Sequence, residues 1–190
     1  MAGSRAASAG LESYFFDSEP KKSMNTWIWG PPAWRVLHTL SGRMRTRTDI
    51  AKFGDLLESL ADVLPCKYCR GSWKGFLEEV PKQTEVIERL YMLHNKVSDK
   101  LDRQHWQSQG QRGPFVRPRR PSLDCLRVKL ATTLRDICQM DVWTHMEVFA
   151  FGSGLHSNGR EAFARYSSLL GQVLARAGET AWQQRRRLCA

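Results

Sequence analysis

Cys66 and Cys69 stand in the stretch "LPCKYCRG", two cysteines separated by two residues and flanked on both sides by helical patterning. A pair at this spacing can hold a metal, close a staple or pass electrons by thiol–disulfide exchange, and the spacing alone leaves all three open. A structural zinc takes four ligands, of which this pair supplies two. The chain has neither a second C-x-x-C nor an H-x-x-x-H to complete such a set. Cys125 and Cys138 lie thirteen residues apart in a helical pattern, about 19 Å along one straight helix and on opposite faces. They neither share a zinc nor bridge each other unless that helix breaks, so zinc is the weaker reading and no metal ligands are expected. A thioredoxin-like motif would follow a strand, whereas the run before Cys66 is helical. What remains is thiol chemistry. A cysteine at a helix N-terminus meets unpaired backbone N–H groups and the positive end of the helix dipole, and Lys67 and Arg70 add charge of the same sign; all favour thiolate over thiol. Exchange then needs an electron acceptor.

The elements that must position this pair read as helices throughout, so the fold class is all-α. "WIWGPPAWRVLHTLSGRM" sets a Gly-Pro-Pro punctuation before a helical run in which Trp34, Leu37, His38 and Ser41 share a face. "DIAKFGDLLESLADVLP" spaces Ile50, Phe53, Leu56, Leu57, Leu60, Val63 and Leu64 at helical intervals, with Asp49 as the expected N-cap and Pro65 as the stop. The cysteines then open a shorter helix in which Trp73, Phe76 and Leu77 pack. Pro81 opens "PKQTEVIERLYMLHNKVSDKL", whose inward stripe is Val86, Leu90, Leu93, Val97 and Leu101, with His94 at its border. Residues 1–23 read as a flexible leader, 24–106 as the first helical domain, 107–122 as a basic Pro/Gly linker and 123–190 as a helical region ending in a basic tail.

Sliding the halves by 110 residues lays Phe53, Leu60, Val63 and Leu64 over Phe163, Leu170, Val173 and Leu174, with Trp34 within one position of Trp143. The echo is either a chance likeness of two amphipathic helices or a degenerate second copy, which would carry Arg176 and Glu179 in place of the cysteines.

With 190 residues and 42% hydrophobic content, the chain suffices for one domain or two helical units sharing a core. No apolar run approaches a membrane span, and the N-terminus lacks the apolar centre of a secretory signal; no membrane partner and no signal-directed secretion are expected. A charge of +10 would draw the chain toward nucleic acid, anionic lipid or acidic proteins. "RGPFVRPRRP" and "QQRRRLCA" therefore support an alternative reading, a basic interaction module without catalysis.

His94, Asn95, Ser98 and Lys100 fall within two helical turns and combine hydrogen-bonding groups with a cation, a set able to hold a nucleotide. Taken in order with "WGPPAWRVLH" and the C-x-x-C, this set resembles the Erv/ALR family of FAD-linked sulfhydryl oxidases. The matching positions run through Trp29, Gly30, Trp34 and His38, then Cys66 and Cys69, then His94, Asn95, Val97 and Leu101, within residues 27–106. Ser98 stands where the family usually has asparagine, Arg103 replaces a lysine and can still meet a phosphate, and Trp106 sits where phenylalanine is common. The resemblance implies a four- or five-helix bundle around FAD in residues 24–106, with Cys66 and Cys69 catalytic and Trp29, Gly30, Trp34, His38, His94, Asn95, Val97, Ser98, Lys100, Arg103 and Trp106 as cofactor contacts. It also implies that Cys66 exchanges with an incoming protein dithiol, that Cys69 attacks the flavin, and that molecular oxygen is the final acceptor, giving hydrogen peroxide. Family members commonly dimerise, so a homodimer or an internal pseudo-dimer is expected. The missing C-x16-C staple and the C-terminal extension look more like the versions of large DNA viruses, which implies a site in host cytoplasm, nucleus or virion. A shuttle role for Cys189 and a bystander thiol both remain open.

Overall fold

The computed structural model describes residues 26–82, 84–132, 145–150, 152, 154 and 158–177. The leader, Cys138, Trp143, Glu179 and the tail with Cys189 lie outside the described residues. Helices α1 (Thr26–Ser41), α2 (Arg47–Val63), α3 (Lys67–Glu79) and α4 (Val86–Ser108) form the first half, and α5 (Leu123–Thr132) and α6 (Gly159–Arg176) follow, with residues 145–150 also helical between them. Among the described residues there is no strand, and no described helix is long and apolar enough to cross a membrane.

Helix α1 departs from the expected Gly-Pro-Pro start, because it begins at Thr26 and runs through Pro31 and Pro32. The two prolines remove two backbone donors, but they sit early in the helix. Burial of Trp29, Ala33, Val36, Leu37 and Leu40 in the core outweighs that local penalty. The N-cap of α2 is Thr46, three residues before the expected Asp49. The Thr46 hydroxyl accepts the Asp49 N–H at 3.1 Å while the Asp49 carboxylate accepts the Thr46 N–H at 2.9 Å. In this capping box Asp49 is the third helical residue. The Thr46 backbone and hydroxyl bonds, joined by Arg176, hold the Asp49 carboxyl down at about 2.

Helix α2 buries Phe53, Leu56, Leu57, Leu60 and Val63 as its spacing predicts, whereas Ile50 is 43% exposed. Ile50 lies at the margin of the stripe, on the first turn. Helix α4 starts at Val86, capped by the Glu85 carboxylate, so Pro81 belongs to the loop before it. Val86, Leu90 and Leu93 are buried, and Val97 and Leu101 are half-buried toward the exposed end.

The largest contact of α2 is with α6. Asp62 near the end of α2 pairs with Arg165 near the start of α6, and Asp49 at the start of α2 pairs with Arg176 at the end of α6, so the two helices run antiparallel. Tyr166, Leu170, Val173 and Leu174 are buried in the process. At about 2 kcal/mol for each large apolar side chain, this burial is what holds α6, since an isolated helix of its length is marginal in water. The two helices that the 110-residue echo superposes are thus the two that pack together.

The basic stretch before α5 has no regular secondary structure but is fastened along α4. Arg117 pairs with Asp99, Arg120 with Asp99 and Asp102, and the Tyr91 hydroxyl donates to the Pro121 carbonyl at 2.7 Å. Phe115 sets its ring edge-on to Trp106, with centroids 6.2 Å apart, and lies under the Arg103 guanidinium at 5.4 Å.

Candidate redox site

Cys66 is the N-cap of α3, with extended backbone (φ −94°, ψ 122°), and its Sγ accepts the Cys69 N–H at 3.3 Å. The extended conformation follows from the preceding Pro65 stop, and the sulfur takes the place of the hydroxyl that usually caps a helix. The Cys69 thiol donates to the same sulfur, and this bond does most to push Cys66 down to about 6 against the opposing effect of burial; the Cys69 and Tyr68 N–H groups and the Lys100 charge assist. The same bond, with burial and the Cys66 charge, pushes Cys69 up. The pair is therefore asymmetric: Cys66 is the thiolate and Cys69 keeps the proton. Lys100 reaches from α4 to the Ser72 hydroxyl, and Arg70 donates to the Leu64 carbonyl at 2.7 Å, which ties α3 back onto the chain just before the cysteines.

A direct consequence concerns pH. In the reduced protein, alkylation of Cys66 by iodoacetamide is expected to be half-maximal near pH 6, because thiolate predominates above its pKa. Peptide mapping across pH 4 to 10 reads this, and a midpoint at the ordinary thiol value of about 8.5 would contradict the asymmetry.

One helix away, α1 and α4 bring two imidazoles together. His38 Nε2 and His94 Nδ1 are 2.9 Å apart, and the His94 ring stacks on Trp34 with centroids 4.0 Å apart and planes 11° apart. Burial pushes His38 down to about 3, with His94 adding to it, and burial followed by the Arg120 charge pushes His94 down to about 4. Both rings are neutral at physiological pH, one donating to the other. The buried His38 Nδ1 has no protein partner. Trp73 joins this shelf to the cysteines: its ring lies 6.1 Å from Trp34, it stands one helical turn beyond Cys69, and its Nε1 donates to the Leu57 carbonyl at 2.7 Å.

Of the residues singled out from sequence, Trp34, His38 and His94 meet, and Cys66, Cys69 and Lys100 form the adjoining cluster. Asn95 and Ser98 are half-buried on α4, and Val97 packs on the core. Trp29 and Gly30 are buried, but Trp29 faces Phe149 of the second half with centroids 5.8 Å apart. Nine residues along a helix carry Trp29 to the side opposite His38. Arg103 and Trp106 sit with Phe115 at the far end of α4; Trp106 is twelve residues, about 18 Å, beyond His94. Sequence reading gave two residues no place in the site: Trp73, read only as packing, and Arg120, read only as part of the basic stretch. The signal for Trp73 was its four-residue offset from Cys69. Arg120, whose charge reaches His94 and whose buried Nε is unpartnered, lay in a stretch with no helical pattern to place it. A cavity of about 500 Å³ lies behind α3, lined by Asp62, Arg70, Lys74 and Arg165 and by neither the cysteines nor the imidazoles.

The fold and site define a helical domain that sets an asymmetric dithiol beside a neutral aromatic shelf. Residues 31–113 match the family model described as the Erv1 / Alr family, a sulfhydryl oxidase family whose members typically bind FAD. No curated protein and no solved structure matches the chain. The matched span contains both cysteines, Trp34, His38 and His94, while α5, α6 and the segment between them fall outside it.

Proposed function

We propose that the protein is an FAD-linked thiol oxidase that forms disulfides in protein dithiols, with molecular oxygen as acceptor and hydrogen peroxide as product. The observation that carries this reading is the capped Cys66 thiolate paired with a protonated Cys69, one helix from a neutral indole–imidazole shelf with an unpartnered buried nitrogen. These residues fit a flat heteroaromatic cofactor. Trp34 and His94 would offer a stacking face, His38 Nδ1 a polar contact and the unpartnered Arg120 Nε a buried donor, with Asn95 and Ser98 on the same helix as His94; Arg103 and Trp106 lie where only the distant end of an extended cofactor reaches.

When the pair is oxidised, a substrate thiolate attacks Cys66 Sγ, breaking the Cys66–Cys69 bond and expelling Cys69. The second substrate thiol then attacks the substrate sulfur of this mixed disulfide and releases Cys66, whose low pKa makes it a good leaving group. The substrate has lost two electrons and two protons, and the pair is reduced. Bound FAD supplies the acceptor for that electron pair and its route to molecular oxygen. The Cys69 proton is retained until the pair is reoxidised.

Purified full-length protein is expected to be yellow and to release one peroxide per dithiol oxidised. A folded, colourless protein with zinc at its cysteines would overturn the reading. Colourless protein with steeply salt-dependent nucleic-acid binding would favour the interaction module instead; the engagement of Arg117 and Arg120 by Asp99 and Asp102 counts against that module.

The antiparallel α2–α6 pair supports an internal pseudo-dimer as the association state. Light scattering is expected to give the monomer mass of 21.8 kDa; twice that mass would indicate a homodimer. The finer kinship with the oxidases of large DNA viruses, and virion proteins as substrates, rests on the cysteine pattern and the C-terminal extension alone.

A further inference from the structure

The second half of the chain touches the redox site from behind at two points. Residues 145–150 are helical, and His145, fully buried, is joined through Nε2 to the hydroxyl of Tyr166 on α6. Burial pushes His145 down to about 3, so it is a fixed neutral link to α6. One turn further on, the fully buried Phe149 lies edge-on to Trp29 of α1. Gly152, three residues later and also buried, sits against Pro65. A Cβ built on Gly152 would lie 2.6 Å from Pro65 Cβ and 2.8 Å from Pro65 Cα. Both distances are shorter than real Cβ contacts, and one is to backbone, so the proline itself would have to move. Pro65 is bonded to Cys66, and because the ring locks its φ, a push on Pro65 cannot be absorbed by rotation about its N–Cα bond.

We propose that Gly152 is a positioning residue for Cys66: by seating against Pro65, it sets the place from which Cys66 Sγ accepts the Cys69 N–H. The inference rests on the reading of Cys66 as the exchanging thiol. The second half, outside the family match, thereby becomes a working part of the site. Among the described residues, the groups that set the Cys66 charge against its burial are Cys69 and the Tyr68 N–H on α3, and Lys100 from α4. None of these lies in the second half, so a substitution at Gly152 acts on Cys66 through its position and its burial.

The test is the pH profile of Cys66 alkylation in reduced, full-length Gly152→Ala, read by peptide mapping. The expected result is a midpoint about one unit above the wild-type value, equal to a tenfold lower rate on the acid side. Gly171→Ala, where an added Cβ meets nothing within 4 Å, is expected to leave the midpoint in place. Should Gly152→Ala fail to fold, Pro65→Gly removes the Cβ nearest Gly152 and loosens the same contact from the other side, and a smaller upward shift is expected. A lowered melting temperature with an unchanged midpoint in the folded variant would overturn the inference, because a purely structural glycine would do that. The readout needs no turnover: failure of the oxidase reading shows as missing flavin, failure of this one as an unmoved midpoint.

Discussion

Replacing Cys69 with serine is expected to lower the rate of disulfide formation in a dithiol substrate by at least about a thousandfold, with the folded protein keeping its yellow cofactor. The chemistry requires two sulfurs, one to receive the substrate and one to be expelled, and a hydroxyl oxygen cannot form the bond that exchange breaks. Retention of colour is expected because the shelf that would hold the cofactor is built from Trp34, His38 and His94 on α1 and α4, and serine at 69 leaves those side chains in place. Oxygen consumption with a small dithiol and the absorbance spectrum check both halves. A folded but colourless Cys69→Ser would place the cofactor differently, and residual activity within tenfold of wild type would remove the dithiol from the mechanism.

His94→Ala carries the second large effect, on cofactor retention and stability together. The substitution removes the stacked face on Trp34 and strands His38 Nε2 in a buried position where it had one partner at 2.9 Å. An unsatisfied buried polar group costs about 1–3 kcal/mol, and loss of a stacked ring pair about 0.5–1.5 kcal/mol more. Urea denaturation is expected to show a loss in that range, and cofactor occupancy after dialysis is expected to fall at least about tenfold. Acid adds a distinguishing signature. Both imidazoles have pKa values below the ordinary histidine value, about 3 and about 4, so below pH 6.5 the unfolded chain takes up protons that the folded protein refuses. Stability is whole above about pH 6.5 and declines as pH falls toward 4. His145, also pushed down to about 3 by burial, contributes in the same window, so in His94→Ala one of three such groups is gone and the decline is expected to be shallower. A variant that stays yellow, with wild-type denaturation and acid sensitivity, would show that the imidazole pair is not the shelf.

Local pattern determined much of this protein. The heptad-like spacing of Phe53, Leu56, Leu57, Leu60 and Val63 obliges a helix with one buried face, Pro65 obliges its end, and a cysteine after that stop obliges a sulfur at a helix N-terminus. His94 at the border of the Leu90–Leu93 stripe is half-buried for the same reason. These conclusions depend on residues within a few positions of each other, which sequence displays directly. Other features were decided by partners far along the chain. His38 and His94 meet across 56 residues, Asp62 and Arg165 across 103, and Asp49 and Arg176 across 127. Periodicity says that a face is buried without saying against what, so α6 on α2, Arg120 beside His94 and Gly152 against Pro65 were beyond its reach. The same limit explains the helix running through Pro31 and Pro32, where burial in the assembled core extends the helix back past the Gly-Pro-Pro start that the sequence states plainly.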